Sequence, residues 1–353
     1  MLVRLAAENF RNLDPLDWSP GAGQHLLLGD NGSGKTSLLE AVYLAATTRS
    51  FRTANLLECA RAGTSRGRVL AEIETAARAT LAVEWSGGRR RRTQNGKVST
   101  LAEHLATQPI LAWTSAESAL LTGGPVHRRR FLDRGLVAGR PAALEVLQRY
   151  REVLLQKKQL LQQGGEEIET WNQVLAEVGA ELLRLRQDYL GRLQESFSEV
   201  LAASGSRFAG TRLVYRASPE EGLAGSAAFF ARLMRSVGTE RARGLPLLGP
   251  HRDDIALLWR EQEIRRLASA GERKLLGLAL LAAQARLLDA AGRVPLVLLD
   301  DADAELDRRA LARAWKGFDF LPQLLASSNR PEVFEGLAID RRWTLDEGRL
   351  TAP

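Results

Sequence analysis

A glycine-rich stretch near the N-terminus constrains the fold of this chain more than any other feature. It consists of Gly29, Asp30, Asn31, Gly32, Ser33, Gly34, Lys35, Thr36 and Ser37. The stretch fits the pattern Gly-x-x-x-x-Gly-Lys-[Ser/Thr] at every fixed position. The apolar run 25–28 before it predicts a strand, and the apolar periodicity of 38–46 after it predicts a helix. Strand, glycine loop and helix together predict a phosphate site, because the loop N–H groups and the helix N-terminus attract an anion.

This motif assigns roles to two side chains. In sites of this kind the lysine, here Lys35, reaches the β- and γ-phosphates of a nucleotide. The Thr36 hydroxyl is expected to ligate Mg²⁺. We expect Lys35 to face solvent when no nucleotide is bound. The alternative, a glycine-rich turn with a chance lysine, is disfavoured by the flanking strand and helix.

The length and charge of the chain narrow the class of protein. Its 353 residues suit a large α/β domain with an insertion. The 49 Lys and Arg against 42 Asp and Glu give a net charge of +7, which favours polyanion partners without proving one. Cys59 is the single cysteine, so an internal disulfide is excluded and a cytoplasmic location is expected. The sequence shows neither a signal peptide nor an apolar run of about 20 residues, so we expect no membrane span.

Three arginine groups are candidates for contacts with nucleic acid. One lies between the turn signals Gly87-Gly88 and Asn95-Gly96 of a predicted β meander over 68–100, and all four of its arginines are expected to be exposed. The hairpin run and the pair after the P-loop helix each have a second interpretation as a solvated surface segment, and that pair could also lie near the phosphates. The candidates are Arg49, Arg52, Arg89, Arg90, Arg91, Arg92, Arg128 and Arg129.

A second set of motifs near the C-terminus completes a nucleotide site. The apolar run 294–299 predicts a buried strand that ends in Asp300 and Asp301. A carboxylate at such a strand end provides a second Mg²⁺ contact, which we assign to Asp300. Asp301 is then placed to orient an attacking water. Ser269 and Glu272 form a capping box before an apolar helix at 275–288, which by itself is only a structural motif.

The middle of the chain predicts an insertion. Apolar residues at helical spacing over 144–197, interrupted at Gly164-Gly165, predict an antiparallel helix pair. Residues 203–250 predict mixed structure with a strand at 212–215. Because the P-loop and the Asp-Asp strand lie far apart in sequence, we expect an ATPase core at 1–110 and 245–353. An inserted, largely helical lobe is then expected at 111–244.

The order of these motifs resembles that of ABC-type ATPases. More narrowly, the chain resembles the bacterial RecF family of recombinational repair proteins over nearly its whole length. The motifs that carry the resemblance are Asn9–Asn12, Gly29–Thr36, Leu39–Ala41, Arg49–Thr53, Gly124–Pro125, Arg128–Asp133, Gly249–His251 and Leu299–Asp307.

The resemblance implies an α/β ABC-type ATPase head with a mixed-sheet P-loop core. It also implies a weak, DNA-stimulated ATPase that binds ATP and Mg²⁺ and forms an ATP-dependent homodimer on duplex DNA, at gaps or single-strand/duplex junctions. RecR with RecO are the implied partners, RecA loading the implied outcome, and nucleoid-associated cytoplasm the implied location. Ser269, Gly271 and Glu272 would form a signature segment that serves the partner's ATP. Glu305 and Asp307 would form the D-loop.

Three departures from the ABC pattern predict slow hydrolysis. The segment 111–115 contains no glutamine, and Ser327, Ser328 and Asn329 stand where a switch histidine is common. Asp301 is one methylene shorter than the usual glutamate. Two other hypotheses stay open: the cytosolic subunit of a transporter, and a nucleotide-gated binding module with negligible hydrolysis. A rise in ATP turnover with duplex DNA would separate them from a DNA-repair ATPase.

Overall fold

The computed structural model describes residues 1–75, 77–164 and 166–351. These residues form fifteen strands. In chain order the strands are β1 (Leu2–Glu8), β2 (Leu16–Trp18), β3 (Gly23–Leu28), β4 (Arg66–Glu74), β5 (Arg78–Ser86), β6 (Arg89–Gln94), β7 (Lys97–Val98), β8 (Ile110–Trp113), β9 (Arg212–Arg216), β10 (Asp254–Trp259), β11 (Gln262–Glu263), β12 (Leu296–Asp300), β13 (Gln323–Ser328), β14 (Arg341–Asp346) and β15 (Arg349–Thr351).

The same described ranges contain ten α-helices and three 3-10 helices. The α-helices are α1 (Lys35–Thr47), α2 (Leu101–Thr107), α3 (Ser115–Ser118), α4 (Pro125–Gly139), α5 (Ala143–Gln163), α6 (Ile168–Ala203), α7 (Ser226–Arg243), α8 (Ile264–Leu267), α9 (Ala270–Ala290) and α10 (Arg308–Trp315). The 3-10 helices are Leu56–Cys59, Glu220–Ala224 and Pro331–Phe334. None of the helices in the described part of the chain is long and apolar enough to cross a membrane.

A mixed six-stranded sheet brings the predicted motifs to one edge. Its order is β15-β14-β3-β13-β12-β8, and β14, β3, β13, β12 and β8 run parallel. The P-loop follows β3, Asp300 ends β12, and Asp300 pairs with Ser327 of β13. Because the carboxyl ends of parallel strands lie at the same edge, the three polar segments meet there. The strands predicted before the P-loop and before Asp300 are confirmed.

An antiparallel six-stranded sheet, ordered β2-β1-β4-β5-β6-β7, lies against helix α1. The predicted meander over 68–100 is confirmed, since β4 to β7 pair in succession. Helix α1 is buried along nearly all its length, because its apolar side chains share one core with both sheets. This burial holds the start of α1, and therefore the P-loop, in a fixed place.

The chain divides into two compact units. The first contains residues 1–119, 199–207 and 268–353, and the second contains 120–198 and 208–267. The structure places 111–119 and 199–207, which the sequence assigned to the inserted lobe, in the first unit. It places 245–267, which the sequence assigned to the ATPase core, in the second unit. The reason is strand pairing: β10 pairs antiparallel with β9, with Ile255 opposite Tyr215.

The second unit is built around helices α5, α6 and α7. The predicted helix pair corresponds to α5 and α6; α5 ends at Gly164, which has φ of 77°. Gly165, the second glycine of the predicted break, lies outside the described residues. Helix α7 falls in the region for which we expected mixed structure. The spacing of its buried Phe229 and Leu233 was the available signal for a helix.

Candidate nucleotide site

The P-loop backbone takes conformations that require glycine. Gly29 has φ of 149°, and a Cβ atom there would lie 2.2 Å from the carbonyl oxygen of Leu345. Gly34, the N-cap of α1, has φ of 114° and is left-handed. Residues with a side chain rarely adopt either conformation. The loop therefore has the curled backbone and adjoining helix N-terminus that suit a phosphate group.

Lys35 lies inside this loop, and its expected exposure to solvent is wrong. The residue is 6% exposed. Its ammonium donates hydrogen bonds to the carbonyl oxygens of Gly29, at 2.6 Å, and Asp30, at 2.8 Å. A buried ammonium needs acceptors, and the loop carbonyls supply them. The lysine is thus held at the position where phosphate oxygens could replace these carbonyls.

Thr36 and Asp300 meet across 264 residues of sequence. The Thr36 hydroxyl donates to Asp300 Oδ1 at 2.9 Å. Burial raises the pKa of Asp300, against the effect of hydrogen bonds from Ser327 and Thr36 and of the positive charge of Arg52. A hydroxyl and a carboxylate are the hard oxygen ligands that Mg²⁺ prefers. The pair could hold the ion together with phosphate oxygens and waters.

The described residues contain no cluster of three or more His, Cys, Asp or Glu side chains that could hold a metal ion. Such a cluster is not required, because Mg²⁺ in phosphate-binding sites is usually held by one or two protein ligands and keeps several waters. The donor set therefore fits Mg²⁺ bound with a nucleotide better than a resident metal.

Ser327, at the end of β13, connects the two predicted carboxylates. Its hydroxyl donates to Asp300 Oδ1 at 2.7 Å and accepts the backbone N–H of Asp301 at 3.1 Å. Asp301 itself is exposed and left-handed, with φ of 48°. The contact orients the Asp300 carboxylate and fixes a backbone conformation that aspartate adopts only at a cost. Sequence reasoning noted this hydroxyl without giving it a role.

The next two residues of this strand end contact other parts of the site. The Ser328 hydroxyl donates to buried Asp303 at 2.9 Å. The Asn329 amide donates to the Asn31 side chain of the P-loop at 3.3 Å. Where a switch histidine is common, three consecutive polar residues therefore each contact a different segment of the site.

Glu40 of α1 is a buried carboxylate that accepts hydrogen bonds from several side chains. Arg11 donates to both of its carboxylate oxygens, at 2.9 and 2.6 Å, and the Ser50 hydroxyl donates at 2.5 Å. Arg52 reaches the same carboxylate at 3.5 Å. The positive charge of Arg52 also acts to lower the pKa of Asp300, the carboxylate that accepts the Thr36 hydroxyl. This effect favours the phosphate interpretation for Arg52.

The predicted capping box at the start of α9 is confirmed. The Ser269 hydroxyl accepts the N–H of Glu272 at 3.3 Å, and Glu272 Oε2 accepts the N–H and hydroxyl of Ser269, both at 2.9 Å. A Cβ atom on Gly271 would lie 3.3 Å from the Glu305 carbonyl oxygen. A larger residue at 271 would therefore crowd the loop that carries Glu305.

The loop between β12 and α10 is tied to α9 by Lys274. Its ammonium donates to the carbonyl oxygens of Asp301 at 3.0 Å and Ala304 at 2.7 Å. Burial lowers the pKa of this lysine. Asp307 is the N-cap of α10 and accepts the N–H of Ala310 at 2.7 Å. Lys274 therefore links the helix that carries Ser269 to the loop that carries the predicted D-loop residues.

The run Arg89 to Arg92 in β6 alternates between two faces. Arg90 pairs with buried Trp85, and its guanidinium donates to the Thr48 carbonyl oxygen at 2.9 Å. Arg92 likewise donates to the carbonyl oxygen of Ser99 at 2.8 Å. Strand alternation places Arg90 and Arg92 on the face of Trp85. The expectation that all four arginines are exposed holds for three of them and is corrected for Arg92, which is half-buried. Arg89 and Arg91 lie on the opposite, outward face, and Arg89, Arg90 and Arg91 are exposed.

Arg49 is also an exposed side chain. Its charge and that of Arg92 add to the effect of burial, which lowers the pKa of Arg90. Arg49 and the Thr48 carbonyl that Arg90 contacts both lie at the C-terminus of α1, where positive charge is favourable.

Arg128 and Arg129 serve the second unit itself. Arg128 is buried and donates to both carboxylate oxygens of Asp254, at 2.7 and 3.1 Å, and to the Gly123 carbonyl at 2.8 Å. Arg129 donates to the Asp253 carbonyl oxygen at 2.5 Å, and burial lowers its pKa. Their prediction as DNA contacts is corrected for Arg128, whose guanidinium is fully engaged, and weakened for half-buried Arg129.

Residues 1–338 match the family described as "RecF/RecN/SMC N terminal domain". Similar curated proteins carry the name "DNA replication and repair protein RecF". One from Acidothermus cellulolyticus is 33% identical, over 99% of this chain and 98% of that protein. One from Prosthecochloris aestuarii is 32% identical, over 88% and 89% of the two chains.

Two solved structures show the same fold. "Structure of the recombination mediator protein RecF-ATP in RecFOR pathway" has a TM-score of 0.88 at 24% identity, over 100% of this chain and 97% of that one. An SMC head bound to the C-winged helix domain of ScpA has a TM-score of 0.60 at 16% identity, over 100% and 97%.

These likenesses confirm the predicted fold class, an α/β ABC-type ATPase head, for which the P-loop and the Asp300 strand end are the defining parts. The chain belongs to the RecF/RecN/SMC family, and within that family to the RecF proteins of DNA replication and repair.

Proposed function

We propose that this protein is an ATP-dependent DNA-binding protein of recombinational repair, whose ATP-bound form is a homodimer on duplex DNA. The observation that carries the proposal is the hydrogen bond between Thr36 and Asp300, which joins the P-loop to the strand end that carries the carboxylates. Slow ATP hydrolysis then resets the protein. The first unit is the ATPase lobe, and the second is the inserted lobe.

Each site residue has a role in this proposal. The P-loop N–H groups bind the nucleotide phosphates, and the Lys35 ammonium exchanges its two carbonyl partners for phosphate oxygens. Thr36 and Asp300 hold Mg²⁺, which supplies charge neutralisation at the phosphates. Asp301 orients the attacking water. The start of α9, with Ser269 and Gly271, faces the γ-phosphate bound by a second copy of the chain.

Because each ATP site is shared between two protomers in this proposal, ATP binding drives dimerisation. A nucleotide that contacts both protomers binds the paired state far better than the open one, so it shifts the population toward pairs. The DNA partner is a duplex, with gaps or single-strand/duplex junctions as the favoured form, and contacts are mostly with phosphates. The proposal also includes RecR and RecO as partners, RecA loading as the outcome and a cytoplasmic, nucleoid-associated location. These parts rest on the resemblance of the sequence motifs to the RecF family.

The Asp301→Asn variant tests this mechanism. We expect it to bind Mg-ATP as the wild type does and to accumulate as a dimer, because the water is no longer oriented. Turnover should fall roughly 100-fold, a typical contribution of a positioned base. The measurements are ATPase assays with and without duplex DNA and light scattering at saturating Mg-ATP.

Asp300→Asn is the matched variant, since it removes the metal carboxylate and should weaken Mg-ATP binding itself. If both variants hydrolyse ATP at the wild-type rate, the assignment of this strand end is wrong. A wild-type protein that binds ATP without measurable hydrolysis, with or without DNA, would instead identify a nucleotide-gated binding module.

A further inference from the structure

An arginine outside every motif binds the capping carboxylate of α9. Arg207 Nε donates to Glu272 Oε1 at 2.5 Å, and Arg207 Nη2 donates to Glu272 Oε2 at 2.9 Å. Both oxygens of the carboxylate are therefore held by one planar guanidinium, the strongest geometry for such a pair. Together with the Ser269 contacts, this lowers the pKa of Glu272 to about 2.

Glu272 creates an electrostatic problem for the proposed shared site. Its carboxylate lies in the first turn of α9, at the helix end that is proposed to receive the γ-phosphate of a second copy. A negative charge there repels the phosphate. The same carboxylate also accepts the N–H and the hydroxyl of Ser269, two donors that a phosphate would use. A helix start that caps itself with a carboxylate therefore binds an anion poorly unless the charge is compensated.

We propose that Arg207 is a positioning residue for the composite ATP site: it neutralises Glu272 and holds its carboxylate, so that the start of α9 can receive the partner's γ-phosphate. This inference rests on the proposed function. Arg207 belongs to the same compact unit as α9, so the pair is a feature of that unit. Because the side chains of Arg207 and Glu272 are 57% and 30% exposed, a highly charged ligand can approach them.

The proposal predicts that substitutions at positions 207 and 272 change dimerisation through the net charge at the start of α9. Arg207→Ala leaves an uncompensated carboxylate at the helix start and should raise the Mg-ATP concentration needed for half-maximal dimerisation about tenfold or more. Glu272→Gln in the same chain should restore it to within about threefold of wild type, because glutamine also forms a capping box but carries no charge. Glu272→Gln alone should dimerise at a lower Mg-ATP concentration than wild type.

Arg212 offers a matched control. Its guanidinium donates to both oxygens of Glu261, at 2.6 and 2.7 Å, and its side chain is also 57% exposed. Arg212→Ala removes a similar surface ion pair that belongs to the second unit, and the variant should dimerise like the wild type. Exposed pairs of this kind contribute little to stability, so thermal unfolding should confirm that all variants are folded. Should Arg207→Ala be unstable, Arg207→Gln takes its place.

The experiment measures dimerisation by light scattering against Mg-ATP for wild type, the two single variants, the double variant and the control. If the wild type stays monomeric, the proposed function fails. If the wild type dimerises and Arg207→Ala dimerises equally well, only the inference about Arg207 is overturned. A double variant as defective as Arg207→Ala would also overturn it, because the defect would then not arise from the charge of Glu272.

Discussion

Two groups of arginines in this protein have similar sequences and different surroundings. The hairpin arginines, Arg89 to Arg92, lie on β6 of the first unit, and all of them except half-buried Arg92 are exposed. The buried arginine cluster of the second unit consists of Arg128, Arg129 and Arg186 together with Asp133, Asp253 and Asp254. The positive charge of the hairpin arginines is partly available to a binding partner. The positive charge of the buried cluster is paired with carboxylates inside the fold.

The difference is decided by carboxylates that are distant in sequence. Arg186 donates to both oxygens of Asp133, at 2.8 and 2.9 Å, and to the Pro250 carbonyl oxygen at 2.7 Å. Asp253 is fully buried and accepts the hydroxyl of Tyr215. An arginine run therefore indicates a nucleic-acid contact only when no buried carboxylate faces it, and a local sequence window does not show that.

The largest expected effect comes from removing the centre of the buried cluster. Arg186→Ala should lower the free energy of unfolding by about 3–5 kcal/mol, because it leaves buried carboxylates without their partner. Urea unfolding followed by circular dichroism measures it.

The control lies two residues away on the same helix. Arg184 forms an exposed pair with Asp188, so Arg184→Ala should change the free energy of unfolding by less than about 0.5 kcal/mol. Equal losses for the two variants would mean that the cluster is not a special source of stability.

A smaller effect on stability is expected from His251, which also belongs to the second unit. Tyr150 donates to its Nδ1 at 2.8 Å, and its Nε2 lies 3.3 Å from the Pro246 carbonyl oxygen, so the neutral ring carries its proton on Nε2. Burial lowers the pKa of His251 to about 4. Below about pH 6.5 the His251 ring becomes protonated in the unfolded chain, whereas in the folded protein it stays neutral down to about pH 4.

Wild-type stability should therefore fall, relative to His251→Gln, by roughly 1–3 kcal/mol between pH 6.5 and pH 4. Both proteins contain Asp253, whose pKa burial raises, so that contribution cancels in the difference. The measurement is urea unfolding of both proteins at several pH values. A constant difference across this range would mean that the ring takes up its proton as readily in the folded protein as in the unfolded chain.

The sequence predicted the parts of the site that depend on local pattern. The P-loop, the strand ending at Asp300 and the capping box of Ser269 follow from residues within a few positions of one another. The inward turn of Lys35, the Ser327 bridge and the Arg207–Glu272 pair could not be predicted, because each depends on how the chain folds around it. The place of 245–267 in the second unit could not be predicted either, because it depends on the pairing of β10 with β9.

The smallest expected effect distinguishes the two faces of the hairpin. Arg89 and Arg91 face outward, whereas Arg90 and Arg92 donate to the backbone carbonyls of Thr48 and Ser99. If duplex DNA contacts the outward pair, replacing both by alanine should flatten the plot of log affinity against log salt by about 1.8, or 0.9 for each lost phosphate contact. Their loss should leave stability within about 0.5 kcal/mol of wild type.

The inward pair should behave in the opposite way. Replacing Arg90 and Arg92 by alanine removes two hydrogen bonds and should cost about 1–3 kcal/mol of stability, with a smaller change in the salt slope. Titrations of a duplex at several salt concentrations, paired with urea unfolding of the same preparations, measure both quantities. Equal slopes for the two double variants would show that strand alternation does not sort these arginines by function. An unchanged slope in the outward variant would leave Arg89 and Arg91 as a solvated face and move the search for phosphate contacts to Arg49.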